Sequence, residues 1–256
     1  MLDQLTLNTL KDELNLGRAE YFPSIPSTND TALEWISLGC PNYSVVVADK
    51  QTKGKGRSGR TWYTLPDSGL AFSFIITEPT QKINLLAGVA ALAVYDAVSK
   101  FVSADVEIKW PNDILIQKKK VCGILVESQW AGNQVQGIVL GIGINITSKS
   151  LNFEEKIRYP ASFLERFAKE IIRRDDLFKD ILANLIFWDK ERTSQEVISA
   201  WNQRLAFLGE QITAVRNENN SITGKLLAIS DEGNILIKLH SGEVLEYTAN
   251  EIQVNI

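Results

Sequence analysis

The chain has 256 residues, 45% of them apolar, enough to build a sizeable core, and this composition is not that of a disordered protein. Its 27 basic and 31 acidic residues leave a net charge of −4, which argues against a protein that coats nucleic acid through a basic face. Two distant cysteines, Cys40 and Cys122, make neither a disulfide framework nor a cysteine zinc site. The chain opens without a signal-peptide pattern, and its longest apolar run, 85–95, is too short to span a bilayer; a cytoplasmic protein with no membrane partner is expected.

In chain order, residues 3–15 predict a short amphipathic helix ending near Gly17, and 18–22 a short strand. Residues 27–39 predict a helix with Ser27 as N-cap, Asp30 at the third position and Gly39 as its stop. YSVVVA at 43–48 is short, continuous and β-branched, the pattern of a buried strand. A basic, glycine-rich loop follows, then a strand at 69–76. Residues 83–102 predict the longest helix, apolar over most of its surface and so packed against a sheet. VEIKW at 106–110 is a strand. DILIQ and KVCGILVES predict a hairpin turning at Lys118–Lys119, and 134–146 a strand running into a glycine turn. From about 161 to 204 the pattern is helical. Four short alternating stretches after Phe207 predict a small β-barrel, dividing the chain into 1–206 and 207–256.

The loop is the feature that composition does not explain. Between Lys50 and Arg60 lie five cations, no carboxylate and three glycines, Gly54, Gly56 and Gly59. Two readings stand: a solvated charged face, or a backbone free to approach an anion, since the loop leaves a buried strand where open α/β sheets bind ligands. GKGRSGRT at 54–61 fits a phosphate-loop pattern with Arg60 in the lysine place, but such a loop must open into a helix. Pro66 and Gly69 forbid one, so this reading is rejected. GIGIN at 141–145 is equally an ordinary strand end or a backbone held close to a ligand, with Asn145 as a hydrogen-bonding group.

KWPNDILIQKKKVCGILVE at 109–127 is more specific. Pro111 breaks the strand after Trp110 and leaves Lys109, Asn112 and Asp113 at a strand end, where polar groups can face a pocket. Lys120 begins the next strand, and Gly123 marks a close approach to its backbone. A plain charged hairpin is the alternative. Cys122 reads as a buried thiol, and His240, the single histidine, as a surface residue of the barrel. This argues against a Ser-His-Asp hydrolase and a His-rich metal enzyme.

Taken in order, STN at 27–29, QTKGKGRSGRTW at 51–62, KWPND at 109–113, KVCGILVE at 120–127 and GIGIN at 141–145 resemble the biotin protein ligases, and the tail resembles their SH3-like C-terminal domain. The resemblance implies an α/β fold: a mixed central sheet with flanking helices, plus a small SH3-like barrel. It implies ATP with Mg2+, biotin as substrate, and two steps. Biotinyl-5′-AMP and pyrophosphate form first; the acyl group then passes to one lysine of a biotin carboxyl carrier protein. No enzyme nucleophile is needed. Cations that bring two anions together are needed, which suits the loop.

The resemblance also implies roles. Ser27, Thr28 and Asn29 fall at the ureido end of biotin. Gln51, Gly54, Lys55, Gly56, Arg57, Lys120 and Gly123 complete the biotin side. Arg57, Arg60, Trp62, Lys109, Asn112 and Asn145 line the nucleotide. Lys120, Arg57, Lys109 and Asp113 carry the chemistry, and Asp113 has three compatible roles: placing magnesium, orienting Lys109 or assisting the incoming lysine. Ser27 also reads as a plain N-cap and Trp62 as a core aromatic. Lys55 and Ser58 depart from the arginines common in the family loop, and lysine lacks the planar fork. Residues 1–20 are too few for the helix-turn-helix domain of the longer members, so ligation without operator binding is expected. A homodimer stays open. Lipoate ligases and octanoyl transferases carry a G-G-G loop that is missing here, and a non-catalytic biotin or nucleotide binder would not need both Arg57 and Lys120.

Overall fold

The computed structural model describes residues 2–151, 159–217 and 220–255. Helix α1 (Gln4–Leu14) is capped by Asp3, whose carboxylate accepts the Thr6 N–H at 2.8 Å, and it ends at Asn15 in the left-handed region. Strand β1 (Ala19–Phe22) and helix α2 (Thr28–Ser37) follow. Ser27 caps α2 as its sequence predicts, and Gly39 at φ 76° ends it. Strands β2 (Ser44–Ala48) and β3 (Gly69–Ile76) are buried along their whole length. A 3-10 turn at Ile83–Leu85 leads into α3 (Leu86–Phe101). Then come β4 (Val106–Lys109), β5 (Asp113–Ile116), β6 (Lys119–Ala131) and β7 (Gln134–Asn145).

These seven strands form one mixed sheet in the order β1-β2-β3-β7-β6-β5-β4, parallel only between β1 and β2. One face is the main core. Leu70, Phe72, Phe74 and Ile76 of β3 and Ile138, Leu140, Ile142 and Ile144 of β7 belong to the same buried cluster as α3. Helices α4 (Arg174–Lys190) and α5 (Ser194–Gln203) close over α3. Gly88 of α3 is the seat of Trp201, whose ring a Cβ there would strike. Ile83–Phe101 is the one helix among the described residues long and apolar enough to cross a membrane, and here it is the core helix.

The C-terminal strands β8 (Gln211–Asn217), β9 (Asn220–Ile229), β10 (Ile235–Lys238), β11 (Val244–Tyr247) and β12 (Gln253–Asn255) make an antiparallel sheet ordered β11-β10-β9-β8-β12. It is fastened to the rest of the chain by the Trp110 indole N–H, just after β4, on Gly233 O at 3.0 Å and by the Asn84 amide, in the 3-10 turn before α3, on Glu232 O at 2.7 Å.

Three expectations need correction. The hairpin turns at Gln117–Lys118, both at positive φ, one residue earlier than predicted, because β6 already begins at Lys119. The glycine turn expected at the end of 134–146 is absent: GIGIN is a strand end, the last five residues of β7, paired with Gly69–Ser73 on β3. The helical stretch starts at Arg174; before it stands only a 3-10 turn at Leu164–Phe167. Strand β12 goes beyond the four predicted stretches, since three residues carry no readable period.

Candidate active site

The face of the sheet opposite α3 is floored by small residues. On β7, Gly141 and Gly143 alternate with the core isoleucines, and β6 places Gly123 opposite Gly143. The room is used. A Cβ on Gly141 would overlap the Asn29 side chain, and one on Gly143 would overlap the Trp62 indole. A Cβ on Gly123 would stand 2.8 Å from Lys120 Nζ and 2.9 Å from the Trp62 ring.

Lys120 reaches this face through a β-bulge. Asp113 pairs with Gly123 and Ile114 with Cys122, but Leu115 pairs with Lys120, so Val121 is an extra residue on β6. In a regular strand that kept Val121, Lys120 would share the side of Cys122, in the core. With the bulge, Lys120 Nζ stands 2.6 Å from Asp113 Oδ1 and 5.5 Å from the centroid of the Trp62 ring. Cys122 stays on the buried side, where desolvation raises its thiol pKa far above the ordinary value, so it is inert as predicted.

At the neighbouring strand end, the Trp110–Pro111 peptide is cis and Asn112 N donates to Lys109 O at 3.1 Å. The Asn112 amide donates to Ile124 O at 2.5 Å, and its Oδ1 accepts from Arg57 Nη1 at 3.1 Å. Lys109 is 8% exposed, with Nζ 3.8 Å from the Tyr159 ring centroid. Burial lowers its pKa to about 8, Asp113 opposing and Lys120 and Arg60 adding to the fall. Burial likewise holds the Arg57 guanidinium below its usual value, and Asp113 partly offsets this.

The cationic loop is folded onto itself and tied at several points. Gly56 N donates to Arg60 O at 2.7 Å and Trp62 N to Gly54 O at 2.9 Å, with a 3-10 turn at Arg57–Gly59 between. Ser58 and Gly59 both take positive φ, 56° and 71°. Lys55 pairs with Asp30 of α2. Arg57 also donates to Ala249 O, Arg60 to Gln253 Oε1 at 2.5 Å, and Gln253 to Ser58 Oγ at 3.1 Å, so the C-terminal sheet backs the loop.

Below the loop, the start of α2 forms the other end of the site. The N–H and hydroxyl of Thr28 donate to Gln51 Oε1 at 2.8 and 3.1 Å. Gln51 Nε2 donates to Thr64 Oγ1 at 3.3 Å. Asn29 donates to Glu127 at 2.7 Å and accepts from Ser73 Oγ at 2.6 Å, and Ser27 and Thr28 are buried beside it.

The structure thus gathers Arg57, Trp62, Lys109, Asn112, Asp113, Lys120 and Gly123 at one end, and Ser27, Thr28, Asn29, Gln51 and Gly54 at the other. Lys55 and Arg60 are turned to Asp30 and to Gln253 instead. Asn145 Nδ2 is spent on Ser162 O at 3.1 Å. Sequence reasoning missed Thr64, which meets Gln51 within the loop, and Glu127, Ser73, Tyr159 and Gln253, whose partners lie far away in the chain; alternation along β6 is the one signal that puts Glu127 on the side of Gly123.

A floor of glycines, a loop of cations and a lysine–aspartate pair at a strand end form an anion-handling site on a mixed sheet. A model of the Biotin/lipoate A/B protein ligase family matches residues 21–145, and one of the biotin protein ligase C terminal domain matches 207–254. The Bacillus subtilis bifunctional ligase/repressor BirA is 34% identical over 94% of this chain and 75% of its own length. The biotin–[acetyl-CoA-carboxylase] ligase of Paracoccus denitrificans is 31% identical over 84% of this chain and 92% of its own. The biotin protein ligase of Aquifex aeolicus, in its complex with biotin and ATP, superposes with a TM-score of 0.77 at 29% identity, covering 93% of this chain and 98% of that one. This chain belongs to the biotin protein ligase family and is an enzyme of the ligase class.

Proposed function

We propose that the protein adenylates biotin with ATP and passes the biotinyl group to one lysine of a biotin carboxyl carrier protein, in a cytoplasmic setting. In the first step a biotin carboxylate oxygen attacks the α-phosphorus, the bond from that phosphorus to the bridging oxygen breaks, and pyrophosphate leaves. In the second, the carrier lysine amine attacks the acyl carbon, the bond to the phosphate oxygen breaks, AMP leaves and the nitrogen loses a proton.

The observation that carries this reading is the Lys120–Asp113 pair standing over a floor with no side chains, with Lys109 and Arg57 close enough to feel the same carboxylate. Two anions pushed together need fixed positive charge in a site with little water, where it acts most strongly. Lys120 serves the carboxylate and α-phosphate, and Arg57 and Lys109 the remaining phosphate oxygens. Asp113 holds Lys120 in place until the substrates arrive. At the far end, the Ser27 hydroxyl is a donor for the ureido carbonyl, and Asn29 Oδ1 keeps a lone pair for a ureido N–H. Trp62 covers the acyl chain rather than the adenine, because its ring lies over Gly123 and Gly143 beside Lys120.

Among the described residues no group of three or more His, Cys, Asp or Glu side chains could hold a resident metal. The donor set fits a magnesium ion that arrives on ATP and takes its ligands from phosphates and water, with at most Asp113 from the protein. Bound, it would offset phosphate charge.

The test is incubation with biotin, MgATP and a purified carrier domain. A mass gain of one biotinyl group on the carrier, with biotin-dependent pyrophosphate exchange, is the expected result. Exchange driven by lipoate or octanoate in place of biotin would overturn it.

A further inference from the structure

The loop from residue 49 to residue 68 leaves the end of β2 and returns to the start of β3, two strands that are already paired at Ala48 and Ala71. Both of its stems meet one side chain from a distant part of the chain. Arg174 Nη2 is 2.6 Å from Asp49 Oδ1, and Arg174 Nη1 is 3.3 Å from Asp67 Oδ1. Asp49 is the first residue after β2, and Asp67 stands at φ 57° two residues before β3. The guanidinium therefore bridges the outgoing and returning stems of the segment that carries Gln51, Arg57 and Trp62.

Nothing local accounts for this arginine. It is the first residue of α4, where a cation opposes the helix dipole, and Asp175 and Asp176 beside it are the residues suited to that end. Its side chain is only 13% exposed, and its Nε is buried without a partner among the described residues. Its orientation is thus set by the two carboxylates. A planar fork suits two acceptors held at a fixed separation; an ammonium does not. The pairing also occupies the two carboxylates that flank the cationic run, so neither is left as a counter-ion for it.

We propose that Arg174 is a positioning residue for the reaction: it clamps the stems of the loop and so fixes where Gln51, Arg57 and Trp62 meet the substrates. The inference rests on the loop roles assigned above. It predicts an effect on loop order that needs no substrate, and an effect on substrate binding greater than on turnover.

The experiment uses the full chain carrying Arg174→Met, Arg174→Lys and Asp67→Asn. Hydrogen exchange of residues 50–64 is compared with that of α3, and KM for biotin with kcat for adenylate formation. For Arg174→Met the expected result is loop exchange and KM each raised about tenfold, kcat within about threefold, and α3 unchanged. Arg174→Lys recovers part of both losses, since it restores charge and one contact. If Arg174→Met does not fold, Asp67→Asn still decides, because Asp67 is 68% exposed and removes one arm only; about a threefold rise in both readouts is expected. Loop exchange and KM equal to wild type in a folded variant overturn the proposal, whatever happens to its melting temperature. Absence of any biotin adenylation in the wild-type protein would sink the assigned function, while the exchange measurement would still judge the clamp.

Discussion

On β7, Ile138, Leu140, Ile142 and Ile144 turn to one face of the sheet, while Gly141, Gly143 and Asn145 turn to the other. On β6, Cys122 and Ile124 join the first set, and Gly123 and Glu127 the second. The same strands therefore build two surfaces by alternating size rather than polarity. The isoleucine face is filled by α3 and needs nothing more. The glycine face is filled by side chains sent in from elsewhere, Asn29 from α2 and Trp62 from the loop. A strand that alternates large with absent side chains makes a core on one side and a receptacle on the other, within the thickness of one backbone.

The sharpest way to break this comparison is to remove charge from the receptacle side. Lys120→Ala or Arg57→Ala should slow biotin-dependent pyrophosphate exchange by about 10³-fold, of the order of losing a preorganised donor at a developing charge. Turnover near wild type in either variant would remove that residue from its assigned role. Paired substitutions one residue apart on β7 come next. Gly143→Val should drive Trp62 off the floor and lower kcat/KM for biotin about 10²-fold with little change in melting temperature. Ile142→Ala, on the opposite side, should cost about 2–5 kcal/mol of stability and leave KM near wild type. Identical behaviour of the two variants would erase the distinction between the faces.

The smallest effect separates function from stability by pH. The Lys109 ammonium exists below its lowered pKa of about 8, so kcat/KM for ATP should fall about tenfold as pH rises one unit past that value. Stability should move the other way. The folded protein holds fewer protons on this group than the unfolded chain between about 8 and 10.5, so its contribution to stability rises with pH across that window. Lys109→Met should flatten both trends, read in rate profiles and urea midpoints. An unchanged alkaline limb would reassign it to another group.

Much of this architecture could be read in the residues. A β-branched run marked β2, and Ser27, Asp30 and Gly39 marked α2, because these signals are local. Five ordered motifs marked the site. What could not be read was non-local or too short. GIGIN reads as a strand end or as a backbone held close to a ligand until Asn29 and Trp62 are seen to fill its glycines. The destinations of Lys55 and Arg60 depend on Asp30 and Gln253, a long way off in sequence. β12 has only three residues, and Arg174 meets its partners across more than a hundred positions.

The inserted Val121 has a consequence for how such motifs are recognised. Two strand residues that serve one surface should sit an even number of positions apart, yet Lys120 and Gly123 are separated by three. The odd interval in KVCG is itself the mark of the irregularity, legible in one dimension. Excising Val121 would close that interval to two and keep the ammonium on the side of Gly123; straightening β6 with Val121 retained would instead turn Lys120 to the side of Cys122, among aliphatic neighbours, and silence the protein while conserving every residue of its chemistry.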